Sequence, residues 1–154
     1  MTFRILITGI NGYIAMHTAA KLLGAGYAVR GTLRRKSPDL VATLQKALAP
    51  YQRPNDPLDR LEFVEVPDIR LPNAFDEAIS DDVDGIAHLA SPVSMVMDEQ
   101  MVQTAILGTT GLMDSAMAAS VRGSPLRSVL FMSSISAVFS PSRPQHSRVD
   151  WADW

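Results

Sequence analysis

Two periods run through the apolar and polar positions of this chain: short β-branched runs, and longer stretches with apolar residues three and four apart. Phe3-Arg4-Ile5-Leu6-Ile7-Thr8 is of the first kind. It is too short for a helix and predicts a buried parallel strand. Tyr13 to Leu23 is of the second kind, with Ile14, Ala15, Thr18, Ala19 and Leu22 at helical spacing. Gly24-Ala25-Gly26 ends that helix with glycine where a left-handed C-cap is wanted. Tyr27 to Leu33 predicts the second strand. Ser37 as N-cap and Pro38 at the first helical position open a helix with Leu40, Leu44, Ala47 and Leu48 on its apolar face. Pro50 to Pro57 holds three of the ten prolines and reads as a surface loop.

Leu61 to Val66 alternates and predicts the third strand. Pro72 to Ser80 reads as a short helix with Ala74, Phe75, Ala78 and Ile79 inward, and Asp81 to Gly85 as a turn. Ile86 to Ala90 is the fourth strand, Gln100 to Ser120 a long helix, and Arg127 to Met132 the fifth strand. This alternation implies an α/β fold with a doubly wound parallel sheet, helices on both faces, and strand order 3-2-1-4-5. One domain is expected over residues 1–139. A polar tail over 140–154 follows, ending in Trp151 and Trp154.

The helix at 100–120 is broadly apolar. Met101, Ala105, Leu112, Met113, Ala116 and Met117 cover one side, and Val102, Ile106, Leu107 and Ala119 extend it. So wide a surface implies a second partner besides the sheet: a neighbouring helix, another subunit as in a homo-oligomer, or further chain. Gly108 and Gly111 lower its isolated stability and allow close packing.

Composition narrows the class. Hydrophobic residues make up 47% of the 154 and charged residues 19%, as in a globular α/β domain. A net charge of −2 gives no reason to expect nucleic acid or a membrane surface as partner. The absence of cysteine excludes disulfides and thiolate chemistry. No apolar run reaches the roughly 18 residues of a membrane span, and the N-terminus reads as a strand and not a leader. A cytoplasmic location is therefore expected, with no metal site.

The chemistry gathers at Thr8-Gly9-Ile10-Asn11-Gly12-Tyr13-Ile14-Ala15. A strand, a glycine turn and a helix opening in that turn form a phosphate-binding device, since backbone N–H groups and the helix dipole face the anion. Gly9 suits the tight turn, Gly12 close backbone approach, and Ala15 helix-on-strand packing. The spacing is Gly-x-x-Gly-x-x-Ala and not Gly-x-Gly-x-x-Gly, so an ordinary βα turn with two glycines is the competing reading. Where an acid would hold ribose hydroxyls, Arg34-Arg35-Lys36 precede the first acid, Asp39. That favours a 2′-phosphate, hence NADP(H) over NAD(H), with Arg34 the leading contact; a solvated basic loop is the alternative for Arg35 and Lys36. Asp68 stands where it could accept from the adenine amino group, and the Ile69 N–H could donate to the ring. A loop acid or N-cap is the plainer role for Asp68. Leu89, Ala90 and Ser91 stand beside the expected crevice. His88, inside a strand, reads as a satisfied core histidine and not a base.

These segments, with Val83-Asp84-Gly85-Ile86-Ala87-His88-Leu89-Ala90-Ser91-Pro92-Val93, Gly108-Thr109 and Val129-Leu130-Phe131-Met132-Ser133-Ser134, resemble the extended short-chain dehydrogenases/reductases of the epimerase/dehydratase superfamily. The match is closest to the dihydroflavonol reductase, cinnamoyl-CoA reductase and fungal aldehyde/ketone reductase branch. The resemblance implies a Rossmann fold and an NADPH-dependent oxidoreductase acting on a small-molecule carbonyl. It makes Ser134 the serine that hydrogen-bonds the carbonyl oxygen, with Ser133 the weaker candidate. It also implies a Tyr-x-x-x-Lys pair, which this sequence lacks: Tyr13, Tyr27 and Tyr51 are followed four residues on by His17, Gly31 and Asn55. The chain thus resembles the cofactor-binding half of such a reductase, truncated ahead of its acid catalyst, and little activity is expected from it alone. The alternative is a non-catalytic or non-redox module of the same fold that acts through dimerisation or a partner.

Overall fold

The computed structural model describes residues 2–53, 60–92 and 98–134. Its elements are β1 (Arg4–Ile7), α1 (Tyr13–Ala25), β2 (Ala28–Leu33), α2 (Pro38–Leu48) with a 3₁₀ turn at Ala49–Tyr51, β3 (Leu61–Glu65), β4 (Gly85–His88), α3 (Glu99–Val121) and β5 (Ser128–Phe131). The strands form one parallel sheet in the order β3-β2-β1-β4-β5, as the alternation predicts. The chain leaves β1 toward β2 and later crosses to β4 on its other side. The carboxyl ends of β1 and β4 therefore diverge and open a crevice.

Period-2 alternation assigns neighbouring strand residues to opposite cores. Ile7, Val29, Leu33 and Phe63 pack under α1 and α2 with Ala19, Leu23, Leu44 and Leu48. Leu6 and Ile86 face the other way, against Phe75, Ile79, Val83 and the Leu112, Ala116 and Ala119 face of α3. All six residues of β2 are buried, because a central parallel strand is covered on both faces.

The caps follow from residue chemistry. Gly26, at φ +101°, ends α1, and the Gly26 and Tyr27 amides donate to Leu23 O and Leu22 O, both at 3.0 Å. Ser37 Oγ accepts from the Leu40 amide at 3.3 Å, and Pro38 stands in the first turn, as expected for α2. Its buried face is Leu44 and Leu48, whereas Ala47 is exposed. Asp98 caps α3 through the Met101 amide at 2.7 Å.

One expected helix is absent. Residues 72–80 form successive turns. Pro72 at a first helical position would suit a helix, as Pro38 does in α2, but Asn73 sits at the left-handed φ of +59°, so a regular helical ladder cannot run on from there. The Ala74 and Asp76 amides reach back only three residues, to Leu71 O and Asn73 O. Phe75, Ala78 and Ile79 still point inward and are fully buried, as the apolar spacing predicts, although the backbone is not helical.

An ion cluster ties these turns to the sheet. Arg30 is 7% exposed and contacts the Glu62 carboxylate, Ser80 Oγ, Ala78 O at 3.2 Å and Asp82 at 2.9 Å. Arg4 joins Glu62 at 2.6 Å and Asp82 at 2.8 Å.

Among the described residues β5 pairs only with β4, and Leu130, Phe131 and Met132 are exposed, as are Val102, Ile106, Leu107, Met113, Met117 and Val121 of α3. No described helix is long and apolar enough to cross a membrane. The polar tail over 140–154 with its two tryptophans, and residues 54–57 of the proline loop, lie outside the described residues.

Candidate functional site

The glycine turn is pinned from both sides. Thr8 is fully buried, and its Oγ1 accepts from the Leu89 amide at 3.0 Å and the Ala90 amide at 2.9 Å. Two donors occupy its lone pairs, so its own proton points to His88 Nδ1, 3.0 Å away. On the β2 side, the Gly9 amide donates to Thr32 Oγ1 at 3.0 Å and the Ile10 amide to Thr32 O at 3.1 Å. Gly9 has φ +65°, and a Cβ there would lie 3.1 Å from Ala90 Cβ. Only glycine meets both conditions without strain.

Gly12 is the N-cap of α1, and its amide closes the turn onto Gly9 O at 2.9 Å. No side chain caps this helix, and no acid stands in its first turn. The first-turn amides at Tyr13 and Ile14 and the positive end of the helix dipole are therefore available to an anion.

The turn forms one wall of a cleft of about 800 Å³ at the carboxyl ends of the strands. Gly9, Asn11 and Gly12 line it from the turn, and Thr32 and Arg34 from the end of β2. Val66 to Arg70 follow β3, and Leu89 to Pro92 follow β4. Asp98, Gln100, Met101 and Thr104 at the start of α3 complete it. Gly9, Asn11, Gly12, Arg34, Asp68, Ile69, Leu89, Ala90 and Ser91, all expected from sequence, are thus brought together.

Four expected residues stand apart from this lining. Thr8 is buried behind it and acts as its bolt. Tyr13 and Ile14 are 82% and 51% exposed and lie outside the lining, so what they can give an anion at the helix start is their first-turn amides. Ser134 follows β5 and is exposed, outside the cleft lining. Arg35 and Lys36 also lie outside it, and the Lys36 amide donates to Glu65 Oε2.

Arg70 was not singled out by the sequence. It closes on Asp68 through its backbone amide and Nε, both 2.9 Å from Oδ1, and through Nη2, 2.6 Å from Oδ2. The Arg70 hydrogen bonds, from side chain and then backbone, hold the Asp68 carboxyl down at about 2, and the Arg34 charge adds to the effect. The only available signal was the Asp-Ile-Arg spacing after a strand. Ile69 rests over Gly108 of α3, where a Cβ would lie 2.6 Å from Ile69 Cδ1. This is the close packing expected at that glycine, and it fixes the segment carrying Asp68.

His88 is a core residue, as expected. It is 6% exposed, stands edge-on to Phe75 and Phe131, and burial lowers its pKa.

Known proteins resemble this chain in sequence and in fold. The chain is 36% identical to the ketoreductase adrE of Penicillium roqueforti over 87% of its length, and 35% identical to aldehyde reductase 2 of Sporidiobolus salmonicolor over 97%. It spans 38% and 41% of those two proteins. Yeast methylglyoxal/isovaleraldehyde reductase, solved in complex with NADPH, superposes with a TM-score of 0.70 at 27% identity, over 89% of this chain and 39% of that one. Residues 5–152 match the model of the NAD dependent epimerase/dehydratase family. With its glycine turn at the β1/β4 crevice, the chain belongs to that family.

Proposed function

We propose that this chain forms the NADP(H)-binding portion of a carbonyl reductase acting on a ketone or aldehyde. The observation that carries the reading is one cleft holding an uncapped helix start, the Gly9–Gly12 turn and Arg34. The diphosphate fits the α1 amides, the 2′-phosphate fits Arg34, and the adenine fits Asp68 and the Ile69 amide. The nicotinamide half runs past Leu89, Ala90 and Ser91. The names of the similar ketoreductase and aldehyde reductase, and the NADPH complex of the yeast enzyme, support this reading.

When bound, the dinucleotide supplies hydride to a carbonyl carbon. Ser134 is the residue proposed to donate a hydrogen bond to the carbonyl oxygen as negative charge develops there. No Tyr-x-x-x-Lys is present in the sequence. A missing positioned general acid costs on the order of 10²–10⁴ in rate, so the chain is expected to bind cofactor with little turnover of its own.

Calorimetric titration with NADPH and NADH tests the reading. NADPH is expected to bind about tenfold or more tightly than NADH, and Arg34→Ala to erase the preference. Equal affinity for both would remove the 2′-phosphate assignment, and no binding of either would refute the reading.

The exposed apolar residues of α3 favour a second reading, a non-catalytic nucleotide-binding module that self-associates through this helix. NADPH binding with no turnover in any longer form of the protein would select it.

A further inference from the structure

We propose that Arg70 is a positioning residue for base recognition: its guanidinium fork holds the Asp68 carboxylate so that one oxygen, Oδ2, faces the 6-amino group of adenine. The proposal rests on the cofactor reading above and assigns a part of that site which the glycine turn and Arg34 do not explain.

The geometry is specific. A carboxylate has about four acceptor directions. Arg70 fills two on Oδ1, with its backbone amide and Nε at 2.9 Å each. It fills one on Oδ2 with Nη2 at 2.6 Å, and Nε reaches the same oxygen at 3.1 Å. Nε is shared between the two oxygens, so three N–H protons meet about four acceptor directions, and the one short of a full donor is on Oδ2. An unrestrained aspartate after a strand would rotate about its side-chain bonds and spread its acceptors over several directions. Here a backbone bond and a two-pronged side-chain pair fix the plane of the carboxylate. Both residues line the cleft beside Arg34, and Ile69 between them is held against α3 at Gly108. The restrained carboxylate stays ionised far into acid, so it acts only as an acceptor, which an amino group satisfies.

The test uses the adenosine half of the ligand. Affinities are measured for adenosine 2′,5′-bisphosphate and for its purine analogue lacking the 6-amino group, which keeps the ring acceptor for the Ile69 amide. The ratio of the two isolates the amino contact. The wild-type chain is expected to prefer the adenosine compound about tenfold. Asp68→Ala is expected to bring the ratio near one, and Arg70→Met to about threefold or less. The double variant should match Asp68→Ala alone, because Arg70 acts through Asp68. Loss of a cation alone would weaken both compounds equally and leave the ratio unchanged. Arg70→Lys keeps the charge without the fork and should also lower the ratio, by a smaller factor; it carries the test if the methionine variant fails to fold.

A ratio unchanged in folded Arg70→Met or Arg70→Lys would overturn the proposal and leave the nucleotide site standing. Equal wild-type affinity for the two compounds would do the same. Failure of the wild-type chain to bind either would overturn the cofactor reading and the proposal with it.

Discussion

At Thr8 a single hydroxyl settles three groups. It accepts from the Leu89 and Ala90 amides and donates to His88 Nδ1, so the imidazole is neutral with its proton on Nε2. Thr8→Val keeps the shape but leaves both part-buried amides without that acceptor. It should destabilise by about 1–3 kcal/mol, read as a lower urea midpoint. Burial holds the His88 pKa below its ordinary 6.5. As pH falls below that value the unfolded chain takes up a proton that the folded one resists, so stability falls with pH until the folded value is reached. The urea midpoint should drop as pH falls through the ordinary histidine value of 6.5, and His88→Gln should flatten the drop; a slope unchanged in that variant would contradict the assignment. Gly9→Ala places a Cβ at a left-handed φ and against Ala90. It should cost about 1–2 kcal/mol in strain and weaken NADPH binding more than stability. Gly9 and Gly12 were legible in the sequence because glycine before a helix has few other uses. Thr32 and Arg70 were not, because their partners are set by strand register and by a turn, neither of which leaves a pattern in one chain.

Among the elements, the strands and long helices were legible because burial on known faces imposes a period. The 72–80 segment shows the limit: inward Phe75, Ala78 and Ile79 satisfy helical spacing, yet successive turns bring the same residues inside. The turn at 9–12 also depends on its neighbour β2. Ile10 lies over Gly31, where a Cβ would be 2.7 Å or less from Ile10 Cβ, Cγ2 and Cδ1. Gly31→Ala must displace Ile10, with a loss of about 1–3 kcal/mol, and disturb the turn that carries it. A thermal midpoint equal to wild type would contradict that packing. The Arg30 cluster acts on the opposite core. Arg30→Met leaves Glu62 and Asp82 without that partner; both are partly solvated, with side chains 38% and 51% exposed. The cost is therefore discounted to about 1–3 kcal/mol.

At the scale of the whole molecule, one edge of the sheet and one flank of α3 remain apolar and exposed among the described residues. The chain spans about two-fifths of the two curated relatives. Such a surface favours association. Sedimentation velocity should show mass rising with concentration, and Met117→Glu should suppress the rise; a monomer at every concentration would remove α3 as an interface. The central claim, however, is the cleft at the divergence of β1 and β4. Amide nitrogen–proton correlation spectra recorded during NADPH addition test it most directly. The account predicts the largest shifts at Gly9 to Ala15, Arg34, Asp68 to Arg70 and Leu89 to Ser91. Unchanged spectra, or shifts confined to α3 and β5, would contradict it.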